Sequence, residues 1–205
     1  MVKLFLDGGL FMWPILVLWV LGFMISLERV YTLTKASFVT KSFIRKLHKA
    51  LDESGVDAAV ELCKKTAGPI PAIFHAGLAR LDRGIEAVEK AIEAAASVEM
   101  AFLERGMIWL ATVITLAPML GFTGTVSGMV RAFQDIARLN DISPSVVAGG
   151  ISEALLTTLF GLIVAMSIQI LYNFFSSRVD KIIIDMEENT VNLIDTLVMK
   201  HTQKE

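Results

Sequence analysis

Between Ile142 and Ser177 the chain carries one charged residue, Glu153, within the run GGISEALLTTLFGLIVA. A carboxylate inside a stretch long enough to cross a membrane costs about 3 kcal/mol to insert. Such acids face a bundle interior or water, where they pair with a base or handle ions. Four threonines accompany it: Thr157 and Thr158 in the same run, and Thr123 and Thr125 in the run LAPMLGFTGTVSGMVRAF from Leu116 to Phe133. Hydroxyls at membrane depth can line a polar path, or each can bond the carbonyl four residues back on its own helix. Arg131 lies at a level similar to that of Glu153, so the acid reads either as an ion-handling group or as half of a structural ion pair. The chemistry open to this set is ion or proton handling within a membrane.

Other chemistries find no residues. Gly121, Gly124 and Gly128 form a G-x-x-G-x-x-x-G spacing that matches neither a P-loop nor a dinucleotide fingerprint. There is no nucleophile elbow and no zincin motif, so no enzymatic activity is expected. Cys63 is the sole cysteine and cannot form a disulfide within the chain. No Cys/His cluster has metal-ligand spacing, and neither a metal nor a cofactor is expected. His48, His75 and His201 are unclustered and read as solvated surface residues. A net charge of −2 argues against a nucleic-acid partner, which would need a concentrated basic surface.

The elements that hold these residues are apolar helices. Of 205 residues, 54% are hydrophobic and 20% charged, and the mean hydropathy is +0.61; charge is below the usual quarter of a soluble domain. Leu10 to Leu27, Met107 to Val130 and Ile142 to Ser177 each meet the length of a membrane crossing. The first run lacks a small-residue cleavage site and is too long for a signal-peptide core, so it reads as a retained span. Most Lys and Arg residues fall between Arg29 and Arg105, which makes that loop cytoplasmic, the N-terminus and the Ala137 to Pro144 turn periplasmic, and the tail cytoplasmic.

The expected fold is an all-α membrane protein with three transmembrane helices and long helical extensions into the cytoplasm. Its divisions are a periplasmic segment 1–9, spans 10–28, 107–133 and 146–175, a cytoplasmic helical domain 29–106, a periplasmic turn 134–145 and a cytoplasmic C-terminal helix 176–205. Helical spacing of Phe43, Ile44, Leu47 and Leu51, then Val56, Val60 and Leu62, then Ile73, Leu78 and Leu81 predicts short helices stopped near Gly55, Gly68 and Gly84. From Ile85 the only breaker is Gly106, so one helix is expected to run into the second span. The third is expected to continue into the tail, with Val179, Ile182, Ile183, Met186, Val191, Ile194 and Leu197 as a stripe packed on other cytoplasmic helices.

Glycine in a membrane helix is an asset, because lipid gives helices little reason to hide apolar surface and close association depends on small residues. At about 100° per residue, Ala117, Gly121, Gly124, Gly128 and Ala132 share a sector of about 80°, with Thr125 at its edge. Ala154, Thr158, Gly161 and Ala165 form a second small stripe. Pro118 is tolerable because neighbouring helices or hydroxyls can satisfy the carbonyl it frees. Thr125 and Thr158 both lie roughly 20 Å along their helices from the connecting turn, which matches their depths. Glu153 is about 40° around its helix from Thr157 but about 140° from Thr158, so it and Thr158 need not share surroundings.

The runs GFTGTVSGMVRAF and GGISEALLTTLFGLIVA, the YNFF that follows, and the MWP and LERV of the first span together resemble the MotA/TolQ/ExbB proton-channel family, and three spans place the chain nearest its ExbB/TolQ branch. The resemblance implies that Thr125, Thr158 and Glu153 stand at the family's two pore threonines and its third-span acid, with Thr157 beside them. It implies a homo-pentamer in the bacterial inner membrane whose second and third helices line a pore. The pore would enclose the single-span helices of a dimeric ExbD/TolR-like partner with a membrane aspartate, and a TonB-like protein would be a further partner. The implied function is a motor subunit that couples the proton-motive force to work in the periplasm or at the outer membrane. Thr123 and Thr157 stand where relatives commonly carry apolar residues or alanine, leaving proton and sodium both open as the ion. A TolQ-like envelope role, a gliding motor, a passive scaffold and a solute transporter are the competing readings; the transporter lacks the inverted repeats such folds show.

Overall fold

A computed structural model describes residues 2–53, 55–139 and 144–202. The described residues are helical, with no strand. They form α1 (Val2–Asp7), α2 (Met12–Glu53), α3 (Gly55–Lys65), α4 (Pro69–Leu78), a 3-10 turn (Leu81–Arg83), α5 (Ile85–Glu104), α6 (Met107–Leu139) and α7 (Pro144–Thr202). Three helical stretches are long and apolar enough to cross a membrane: Met12–Leu51, Ile85–Arg138 and Val147–Met199. The chain gathers into two compact units, one of residues up to Glu28 with Gly106–Phe174, the other of Arg29–Arg105 with the residues from Phe175 on.

The first unit holds the site. Its buried residues include the small Ala117, Ala132, Ala154 and Ala165, together with the larger Met12, Ile15, Leu110, Val113, Val164 and Ile168. Large side chains such as Phe122, Leu155 and Met166 are exposed, as expected for helices whose outer faces meet lipid. Pro118 lies inside α6 without ending it. The helix continues past Phe133 to Leu139, and residues 140–143 of the expected periplasmic turn lie outside the described residues.

The second unit has a core of the kind water enforces. Phe43 and Leu47 from α2, Ile70, Ile73 and Phe74 from α4, and Val88 and Ile92 from α5 are all buried. Phe43 and Phe74 meet at 6.1 Å between ring centroids. Gly84 caps α5 at φ 92, a left-handed conformation that costs glycine nothing and stops the preceding turn. The Arg29 guanidinium is buried and donates to the Leu103 carbonyl at 3.2 Å.

One expectation needs refining and two need correction. The helix expected to run unbroken from Ile85 does reach Arg138 as one helical stretch, but it tightens at Arg105–Gly106, where α5 gives way to α6: Arg105 keeps helical angles, and its N–H turns to the Phe102 carbonyl three residues back. The tail stripe has a different membership. Phe175, Val179, Ile182, Met186, Leu193 and Leu197 are buried whereas Val191 is 57% exposed, because the steps of three and four from Met186 lead to Leu193. His75 is half-buried within α4 rather than solvated, and the side chains of His48 and His201 lie outside the described residues.

Candidate functional site: a hydroxyl cluster between α6 and α7

The small faces of α6 and α7 meet each other. A Cβ added at Gly161 would lie 2.6 Å from the Ala117 carbonyl oxygen, and one at Gly121 would lie 2.9 Å from the Thr157 carbonyl oxygen and 3.0 Å from the Thr158 Cα. Gly124 abuts the Thr157 side chain, while Gly128 faces Ala154 and the Gly150 carbonyl at 3.2 Å. Backbone therefore touches backbone along the seam, an approach that any larger residue would prevent. Ala132 and Gly150 extend the contact, a pairing that the Gly149–Gly150 doublet carries in the sequence but that the periodicity of the small stripe did not single out.

This close approach brings three hydroxyls to one backbone oxygen. The carbonyl of Gly121 lies 3.1 Å from Thr158 Oγ1, 3.2 Å from Thr125 Oγ1 and 3.3 Å from Thr157 Oγ1. Thr125 Oγ1 is also 3.1 Å from the Ala154 carbonyl and is hydrogen-bonded to Thr158 Oγ1. Thr157, buried, donates to the Ala154 carbonyl at 2.8 Å. Back-bonding within one helix and bonding across the seam thus coexist in Thr125 and Thr157. Thr123 does not join; it is exposed and donates only to the Met119 carbonyl at 2.8 Å.

Two threonines with one proton each face more acceptors than they can fill, so each hydroxyl can re-aim without stranding a buried group. Thr125 and Thr158 are both half-buried, which leaves them within reach of a group from outside the chain.

Glu153 stands apart from the cluster. Its Oε1 accepts from Arg131 Nη1 at 3.0 Å, with the carboxylate side chain 21% exposed and the guanidinium side chain 44%. Sequence reasoning missed a third participant, the turn before α2: Gly9, at φ 69, lies directly against the Glu153 carboxylate. A glycine doublet following a short apolar segment is the only signal that could have pointed to it.

Outside the spans, among the described residues, Glu99 is perturbed. Glu99 lines a cleft of about 480 Å³ with Tyr31, Lys35 and Pro69, and burial pushes its carboxyl above the ordinary range.

Three apolar helices and a glycine-packed seam define a multi-span α-helical membrane protein. Residues 65–188, more than half of the chain and including the whole seam, match the MotA/TolQ/ExbB proton channel family. The chain belongs to that family. It is 33% identical over 179 residues to an ExbB homolog, named as a biopolymer transport protein, of Methanothermobacter thermautotrophicus, covering 87% of this chain and 63% of that protein. To the Tol-Pal system protein TolQ of Pseudomonas aeruginosa it is 33% identical over 162 residues, 68% of this chain and 70% of the relative. To the biopolymer transport protein ExbB of Salmonella typhimurium it is 35% identical over 100 residues, 49% of this chain but 36% of the relative. The chain thus spans less than two thirds of some of these relatives and more of others.

Proposed function

We propose that the chain is the multi-span subunit of an ExbB/TolQ-type inner-membrane motor that couples the proton-motive force to work in the periplasm or at the outer membrane. Its N-terminus is periplasmic and its C-terminus cytoplasmic. Five copies surround a dimer of a single-span ExbD/TolR-like protein that supplies a membrane aspartate, and a TonB-like protein receives the work. The observation that carries this reading is the convergence of the Thr125, Thr157 and Thr158 hydroxyls on the Gly121 carbonyl within a seam of membrane-crossing helices.

The hydroxyls bear on a partner carboxylate as follows. A hydrogen bond donated to an ionised carboxylate favours its charged form and lowers its proton affinity. When the Thr158 or Thr125 hydroxyl turns from Gly121 toward the partner aspartate, that aspartate releases its proton more readily; when the hydroxyl turns back, the aspartate takes one up. The chain contributes the switching donors and the partner contributes the acid. Glu153 with Arg131 belongs to the route by which protons reach that level or to its electrostatic setting.

The test is co-reconstitution with the single-span partner in liposomes and measurement of proton uptake under an imposed potential. Thr158→Val and Glu153→Gln are each expected to reduce uptake at least tenfold while the complex still assembles. Wild-type uptake in both variants would make the chain a passive scaffold, and uptake of a labelled solute by the chain alone would make it a transporter.

A further inference from the structure

The turn between α1 and α2 is fixed at both ends. The N–H of Gly8 donates to the Phe5 carbonyl, that of Gly9 to Leu6, and that of Met12 to Gly9, each at 3.3 Å. Phe5 packs edge-on against Trp13 at 5.4 Å, and Met12 is buried. Two separate requirements then select glycine at position 9. Its φ of 69 is one that L side chains rarely adopt, and a Cβ would overlap Glu153 Oε1 and lie 2.7 Å from Cδ and 3.2 Å from Cγ. The covered member of the ion pair is the carboxylate, since its side chain is half as exposed as that of Arg131.

We infer that Gly9 is a positioning residue for Glu153: it lets the turn lie over the carboxylate, holds the acid in its pair with Arg131, and makes proton exchange at Glu153 depend on the turn lifting. The consequence for transport rests on the proposed reading of Glu153 as part of the ion route; the covering does not. A bond between Arg131 and Glu153 alone would leave the acid open to any water that reaches the pair. With the turn in place, the carboxylate faces the Gly9 backbone, which carries no side chain of its own at that position. The outer end of α7 thereby gains a cover that belongs to the same chain.

The experiment uses the full chain in nanodiscs of phosphatidylethanolamine and phosphatidylglycerol, treated with dicyclohexylcarbodiimide, which adds to protonated carboxyls in apolar surroundings. The adduct on Glu153 is quantified by peptide mass spectrometry. Gly9→Ala is expected to raise the rate of Glu153 modification several-fold. Gly9→Asn is expected to do the same; asparagine accepts positive φ, so this variant adds the Cβ with little backbone strain and guards against a Gly9→Ala chain that does not fold. Gly149→Ala, where a Cβ meets nothing within 4 Å, should label at the wild-type rate. Unchanged labelling in Gly9→Asn overturns the inference. So does a rise of equal size in Gly149→Ala. Labelling is read without a proton gradient or a partner, so its failure is distinguishable from failure of the Thr158→Val and Glu153→Gln tests.

Discussion

The α6–α7 seam and the α3–α5 module are both made of packed helices, and they use opposite residues to do it. In the module, Ile73, Phe74, Val88 and Ile92 point inward and are nearly inaccessible. In the seam, Ala117, Gly121, Gly128 and Ala154 point inward, while Met119, Phe122, Leu155 and Leu159 are half or more exposed. Large apolar residues go inside where water is the alternative, because each buried side chain gains roughly 1.5–3 kcal/mol by leaving it. Where lipid is the alternative that gain vanishes, and helices associate by close approach of backbones. The module places Gly55, Gly68 and Gly84 at helix ends and packs Gly77 of α4 against Ile92, whereas in the seam a whole row of glycines is the packing surface. Placing hydroxyls on the same surface is then possible, since a threonine beside glycines can reach the facing helix's carbonyl, as Thr158 reaches Gly121.

The largest effect is expected from Gly161→Leu. Its added atoms would meet the Ala117 carbonyl and the Gly121 Cα, both backbone, which cannot rotate aside as a side chain can. The helices must part by more than the usual accommodation, whose cost is about 1–3 kcal/mol in a packed core, and Thr158 must leave Gly121. Loss of proton uptake and of stable complex on native gels is the expected result. A Gly161→Leu chain that assembles and conducts normally would break the contrast between seam and module.

A smaller effect sharpens the same contrast from the other side. Ile73→Ala in the module removes a fully buried side chain and is expected to cost about 2–5 kcal/mol of stability. Leu159→Ala in α7, on a residue 52% exposed, should change stability by less than about 0.5 kcal/mol. Thermal unfolding of the two variants in the same lipid gives the comparison directly. Equal losses would mean that the exposed face of α7 is buried against protein rather than lipid.

The three spans, the all-helical class and the small-residue seam were legible in the sequence because each rests on a local pattern: uncharged runs of spanning length, and glycines and alanines recurring within one narrow sector of α6. That Thr125 and Thr158 meet followed from equal depth on facing stripes. What was not legible depends on contacts distant in sequence. Gly9 lies far from Glu153 in the chain, and no periodicity links them. The substitution of Leu193 for Val191 in the tail stripe turns on helical phase over several turns, where a small error in angle per residue moves the buried face. Gly106 was visible as a residue but the tightening beside it was not, because a single glycine is often absorbed within a helix.

The smallest effect concerns Cys63, which shows how far the module behaves as a dry core. Cys63 lies buried in α3, and burial raises its thiol from an ordinary value of 9.0 to about 11, with a backbone hydrogen bond pulling weakly the other way. Below pH 9 the thiol holds its proton whether the chain is folded or not, so it does not affect stability. Between pH 9 and about pH 11 the unfolded chain gives up the proton and the folded chain keeps it. The unfolded state is then favoured, and stability falls as pH rises, by up to about 1.4 kcal/mol per pH unit. Alkylation by iodoacetamide follows the thiolate, so at pH 8 the folded chain should react about 100-fold more slowly than the detergent-unfolded chain from the pKa difference alone. Cys63→Ala should remove this contribution to the alkaline loss of stability. Folded and unfolded chains that alkylate at the same rate would mean that water reaches α3, and that the module's core, like the seam, depends on something other than the exclusion of water.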